Sequence, residues 1–424
     1  MTSEIAILNK EAIALAADSA VTMINPAGEK IFTSANKLFA LSKYHPIGIM
    51  IYGNALFMDV PWETIIKIYR KNLGDKSFPT VKDYGNDFIN FLKKTNIFSD
   101  EIQDLYFKRT MYSYLNFIKN NIMEKVDYEL KQNKKISEES IKDIIDSIIQ
   151  EQYNLWKNSN SSPDISEDFH KKIIGKYEKV IKSVIKEVME KLPLSDDNMK
   201  KLIDIIVFLF YKNPEKVIHT GMSGVVIAGF GDDEFFPSLV IYNVEGILDG
   251  SLKYKIVDEV SVNYKTGAII MPFAQKDMIQ LFMEGVHEDY LRIEQHYLQE
   301  LLNSFLKSFA KKVKISEEEQ REIINIIMSD FKKKISEYKK TYTESIMKVV
   351  SMLPKSELAM MAETLVNLTS LKRKWSTEIE TVGGPIDVAL ISKGDGFIWI
   401  KRKHYFNPEL NPYFFQKYYM EVKK

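Results

Sequence analysis

The chain has 424 residues, with 58 basic and 58 acidic side chains, six histidines and no cysteine. A zero formal charge leaves no electrostatic footprint for nucleic acid or an anionic membrane surface. The lack of cysteine excludes disulfides, thiolate nucleophiles and cysteine-ligated metal sites, so any nucleophile is an oxygen or an amine. At about 100–200 residues per domain the length reads as two or three units, and 45% apolar residues suit a soluble core. The longest apolar run, Ile205 to Tyr211, stops at Lys212, short of the roughly 18–20 residues of a membrane span. The N-terminus lacks the basic-then-apolar pattern of a signal peptide. The expectation is a cytoplasmic protein with no membrane or nucleic-acid partner.

Ile5–Leu8 and Ala12–Ala17 are short apolar runs parted by Asn9-Lys10-Glu11, the pattern of strands covered on both faces. A third run, Pro46 to Gly53, precedes Pro61-Trp62-Glu63, which opens a helix with proline at a tolerated first-turn position. From about Asp75 to Leu192 the pattern turns helical and lysine-rich. Its clearest stripe is Ile173/Ile174, Tyr177, Val180/Ile181, Val184/Ile185, Val188/Met189 and Leu192, read as a helix packed in its own bundle. Strands return at Gly224–Phe230 and Ser238–Tyr242, and a second helical block fills roughly Gln275 to Leu371. Ile386–Ile391, the turn Lys393-Gly394-Asp395-Gly396 and Phe397–Ile400 predict a hairpin. The helical blocks share Ile-Ser-Glu-Glu starts at Ile136 and Ile315, and Ser316 with Glu319 fits a capping box. Helical inserts therefore interrupt a strand-rich core twice.

The sharpest constellation for chemistry is N-terminal. Removal of Met1 would leave Thr2 with a hydroxyl and a free α-amine, a nucleophile carrying its own base. An α-amine titrates near pH 7.7–8.0, so part of it is neutral at physiological pH. Ala16-Ala17-Asp18-Ser19-Ala20-Val21-Thr22 follows, then Asn36-Lys37-Leu38, then Gly53 closing the third apolar run. Ile227-Ala228-Gly229-Phe230 with Pro237-Ser238-Leu239, and Gly383-Gly384-Pro385-Ile386-Asp387-Val388, complete the order.

This order resembles the N-terminal threonine peptidases, the proteasome β subunits and their bacterial HslV-type relatives, over roughly residues 1–75, 195–275 and 355–405. The resemblance implies an α+β fold: a four-layer αββα N-terminal nucleophile hydrolase sandwich. Residues 76–194 and 276–354 would be helical insertions and 406–424 an aromatic C-terminal tail. It implies a threonine-type peptidase in which Thr2 is the nucleophile. Lys37 would lower the pKa of its hydroxyl, Asp18 would pair with that lysine, and the Gly53 N–H would face the oxyanion.

Two family features are missing. Thr266-Gly267 is the nearest substitute for a supporting Ser-Gly, which makes Thr266 a tentative site residue, and Glu380-Thr381-Val382-Gly383-Gly384 carries no serine before the glycines. An inactive scaffold or binding module of the same fold, and an amidase acting on a small amide, stand as alternatives. The partners implied are a peptide or protein substrate, further copies of the chain in a homo-oligomer or ring, and a separate ATPase unfoldase. No Walker-type loop occurs here to drive an ATP-dependent step.

No cofactor or metal is expected. His287 and His296 lie nine residues apart and face opposite ways on a helix. Asp232-Asp233-Glu234 reads as an acidic hairpin tip, and the aromatics from Tyr405 to Tyr419 as packing on the core.

Overall fold

The computed structural model describes residues 3–25, 28–133, 135–166, 168–215, 221–313, 315–376 and 382–420. The fold is α+β with antiparallel sheets. In chain order the main strands are β1 (Ser3–Asn9), β2 (Ile13–Ala17), β3 (Val21–Asn25), β4 (Gly28–Phe32), β5 (Leu38–Ala40) and β6 (Ile47–Gly53). After the first helices come β7 (Ser223–Gly229), β8 (Ser238–Leu248), β9 (Ser251–Ser261) and β10 (Ala268–Ala274), and finally β11 (Asp387–Ser392) and β12 (Gly396–Lys401). One five-stranded sheet has the order β10-β1-β2-β11-β12 and the other β9-β8-β7-β6-β5, while β3 and β4 pair as a separate hairpin.

Strand alternation divides each apolar run between two cores. Ala6, Leu8, Ile13 and Leu15 join Leu38, Met50, Val226 and Leu239 in a core shared by the two sheets. Ile5, Ile7, Ala14 and Ala16 point the other way. They pack on Ile279 of α7 (Asp277–Glu284) and on Leu358, Ala362 and Val366 of α10 (Lys355–Trp375). Nothing along β1 or β2 is left to water, which is why both read as unbroken apolar segments.

The outer face of the second sheet is covered by α1 (Trp62–Leu73), α2 (Val81–Lys94), α3 (Asp100–Asn133), α4 (Glu138–Lys157), α5 (Phe169–Val188) and α6 (Asp196–Phe208). Pro61 lies at the N-cap of α1, not in its first turn. Thr80 and Asp83 close a capping box on α2. The stripe on α5 is buried at Ile173, Tyr177, Ile181, Val184, Ile185 and Val188. Two long helices, α8 (Glu288–Val313) and α9 (Glu317–Val350), are buried far less. A terminal helix, α11 (Pro412–Met420), follows β12. No described helix is long and apolar enough to cross a membrane.

Candidate active site

The site is built where the first strand of one sheet meets the edge of the other. Asp18 follows β2 directly and is fully buried. Its Oδ1 accepts from the Ser3 backbone N–H at 3.0 Å and from Lys37 Nζ at 2.5 Å. Its Oδ2 accepts from the backbone N–H groups of Ala20 at 3.2 Å and Gly383 at 2.9 Å. One carboxylate thus ties the start of β1, the turn after β2, the loop before β5 and the segment before β11. Four donors satisfy a buried charge that would otherwise be costly.

Lys37 is nearly buried and also lies 3.3 Å from Glu4 Oε1. Glu4 shares the parity of Ala6 and Leu8, so alternation turns it between the sheets. Tyr52 and Phe273 stack there with ring centroids 5.4 Å apart. Burial, reinforced by the charge of Glu4, pushes the Tyr52 hydroxyl up to about 12, so it stays a neutral donor through the physiological range. The site therefore sets two carboxylates around one ammonium in a space closed to water. Removing one partner of such a group costs about 3–5 kcal/mol, because the remaining charge is left buried.

Gly53 ends β6 with φ +81°, and a Cβ there would meet the Met222 carbonyl oxygen at 2.8 Å. Both facts call for glycine. The Ile51 N–H donates to the Lys37 carbonyl at 2.8 Å, while the Asn54 N–H donates to Met222 on the opposite side. Antiparallel alternation then turns the Gly53 N–H toward the Lys37 side. The Gly383-Gly384 pair is explained in the same way. Gly384 has φ +79°, and a Cβ would lie 2.7 Å from the Thr33 carbonyl oxygen, so the chain can pass close enough for Gly383 to reach Asp18.

Asp18, Lys37 and Gly53 thus come together at one end of the paired sheets. Thr2 lies outside the described residues, as do Glu380 and Thr381. Thr266 does not join them. Antiparallel pairing sets Ser3 opposite Ala274 and Asn9 opposite Ala268, so Thr266 lies beyond the far end of β1. Seven residues at about 3.4 Å each separate the two ends. Thr266 instead sits in an exposed turn, where its N–H donates to Asn263 Oδ1 at 2.8 Å. As a supporting site residue it is corrected.

Two residues escaped the sequence reading. Glu4 is a charged residue inside a strand that is otherwise buried and apolar, a usable signal. Tyr52 precedes Gly53, and its ring lies where a Cβ on Gly224 would be. Ser3 Oγ is buried with no hydrogen-bond partner among the described residues.

A cavity of about 480 Å³ opens beside this end of the second sheet, with Asn54, Met58, Tyr106, Arg109, Gly221 and Glu245 in its lining. Among the described residues no group of three or more His, Asp or Glu side chains could hold a metal ion. Glu234, read as a hairpin tip, accepts from the Val81 N–H at 3.0 Å and so caps the start of α2.

No family model and no curated protein matches the chain. Solved structures similar to it include an Anbu (Gly-1) mutant from Hyphomicrobium sp. strain MC1, at 7% identity and a TM-score of 0.28, covering all of this chain and 97% of that one. Another is Anbu, described as an ancestral beta-subunit, from Yersinia bercovieri, at 9% identity and a TM-score of 0.27, covering 99% and 94%. These findings correct the expectation from motif order: they do not place the chain among the proteasome β subunits or HslV-type peptidases. Short motifs made of glycines and single charged residues repeat too easily to carry a family alone.

Proposed function

We propose that the chain hydrolyses amide bonds with Thr2 as an N-terminal nucleophile, after removal of Met1. The observation that carries this reading is the buried Asp18–Lys37 pair held on the backbone of Ser3, one peptide bond from Thr2. The two sheets with helices packed on each outer face fit the helix–sheet–sheet–helix layering of an N-terminal nucleophile hydrolase.

In the proposed reaction the Thr2 hydroxyl oxygen attacks the substrate carbonyl carbon while the α-amine takes its proton. Lys37 favours the deprotonated hydroxyl through its charge, and the Gly53 N–H stabilises the developing oxyanion. The C–N bond then breaks, the leaving amine takes the proton from the α-amine, and water releases the acyl group by the reverse route. Asp18 and Glu4 orient Lys37. The cavity lined by Tyr106 and Arg109 offers room for a substrate side chain, or for the whole of a small amide.

The test is intact mass after incubation with an electrophile directed at N-terminal threonine. The expected result is loss of the initiator methionine and a single adduct, absent from Thr2→Ala. Retained Met1, or full hydrolytic rate in Thr2→Ala, would overturn the proposal. Lys37→Met is expected to lower kcat/KM by about 100-fold or more. Parallel assays on peptides and small amides separate the two substrate classes.

A further inference from the structure

The second helical block carries a surface that the proposed chemistry does not use. Helix α8 exposes Tyr290, Ile293, Tyr297, Leu301, Phe305 and Phe309, each between 43 and 69% accessible. Their spacing of three, then four, residues draws one stripe along the helix, within an arc of about 160° at 100° per residue. Leu291 and Leu306 are buried and Leu298 and Leu302 half-buried, and they form a second apolar face that adjoins the stripe at Phe309. That second face is displaced from the stripe by about 100°. The helix is thus apolar over two faces, one covered and one open. An amphipathic helix of a folded protein normally presents a single such face to its core.

Six large side chains exposed to this degree offer roughly 500–600 Å² of apolar surface. That exceeds what scattered exposure accounts for, and it approaches the roughly 800 Å² per partner of a standard interface.

Charge selects the occupant. The N-terminal half of α8 carries Glu288, Asp289, Glu294 and Glu300 against Arg292, whereas the C-terminal half carries Lys307, Lys311 and Lys312 with no acid. Its net charge is zero, so an anionic lipid surface gains nothing from it. A second α8 lying antiparallel sets each acidic half on a basic half, while its stripe covers the stripe. Self-complementarity of this kind is what a twofold interface requires.

We propose that α8 is an assembly surface, whose open stripe pairs antiparallel with the same stripe of a second copy of this chain. The proposal goes beyond the amide-hydrolase reading and stands without it. The test is sedimentation equilibrium of the full chain from about 1 to 100 μM. Wild type is expected to dimerise or to form even-numbered assemblies. The double variant Ile293→Asp, Leu301→Asp should weaken association by about 100-fold or more, with an unchanged circular dichroism spectrum because both positions are exposed.

Charge complementarity is tested by charge reversal. One variant carries Glu288→Lys, Asp289→Lys, Glu294→Lys and Glu300→Lys, and the other Lys307→Glu, Lys311→Glu and Lys312→Glu. Each should be monomeric alone, and an equimolar mixture should dimerise. Wild type that stays monomeric throughout, association that survives the Asp substitutions, or a mixture that remains monomeric would each overturn the proposal. Binding of the stripe to vesicles or to an unrelated protein by monomeric wild type would overturn it equally.

Discussion

Helices α3–α5 and helices α8–α9 are built from the same material, lysine-rich sequence with apolar residues at helical spacing, yet their surroundings differ sharply. In the first group Phe107 is fully buried, stacked on Tyr177 at 4.3 Å and on Phe210 at 4.9 Å. Trp156 is fully buried too, and its Nε1 donates to Tyr114 Oη at 2.5 Å. In the second group α9 runs for 34 residues and, among its described side chains, buries only Ile324 and Val350. The reason lies in the sheets. The β9-β8-β7-β6-β5 sheet offers Val225, Ile227, Val240, Tyr242 and Val244 on its outer face, and the first block settles there. The outer face of the other sheet is taken largely by α10, so only the C-terminal end of α9 reaches it, at Ile346 and Val350. An apolar stripe makes a helix ready to pack; an uncovered sheet face decides whether it does so within the same chain.

The most severe way to break this contrast is deletion. Joining Glu294 to Ile335 through a short Gly-Ser linker removes the outer part of the α8–α9 pair. That variant is expected to fold, measured by circular dichroism, and to match the wild type in the proposed amide hydrolysis, measured as turnover of a small amide. Removal of a similar length from α3–α4 should abolish folding, since it opens the core around Phe107 and Trp156. Next in size, Phe107→Ala should lower the unfolding free energy by about 3–5 kcal/mol in urea titration. Phe305→Ala, at an exposed position, should stay within about 0.5 kcal/mol in dilute protein. The smallest effect comes from the helix starts. Thr80→Ala and Ser316→Ala each remove a capping box and cost about 1 kcal/mol. The first should appear in the global unfolding transition, and the second mainly as faster amide exchange confined to α9. Equal protection losses across the whole chain in Ser316→Ala would show that the blocks are not separable.

The elements legible in the sequence are those with a single environment. Strands β1, β2, β6 and β7 are buried on both faces, so their apolar runs stand out. Strand β9 was not legible, because it is an edge strand whose second half is largely exposed and carries Asp258 and Glu259. Strand β10 is apolar but sits on a sheet edge that tolerates Pro272, and a proline inside an apolar run argues against a strand when the sequence is taken alone. At the site, Asp18 and Gly53 could be named because each closes or follows a legible strand, and Lys37 because it directly precedes the short apolar run from Leu38 to Leu41. Thr266 was misplaced because neighbourhood in sequence does not reveal which end of a strand points at the site. Glu4 was overlooked because an acidic residue near a terminus looks solvated until alternation sets it between two sheets.

The four donors on Asp18 have a bearing on the life of the chain before it is complete. Three of them, at Ser3, Ala20 and Lys37, leave the ribosome among the first forty residues, whereas Gly383 leaves it among the last. Strand β2 likewise waits for β11 to pair along its open edge. For almost the whole of its synthesis the chain therefore holds Asp18 without one of its four donors and β2 without one of its two neighbours. The surroundings of Lys37 are thus completed only when the segment around Gly383 has been made.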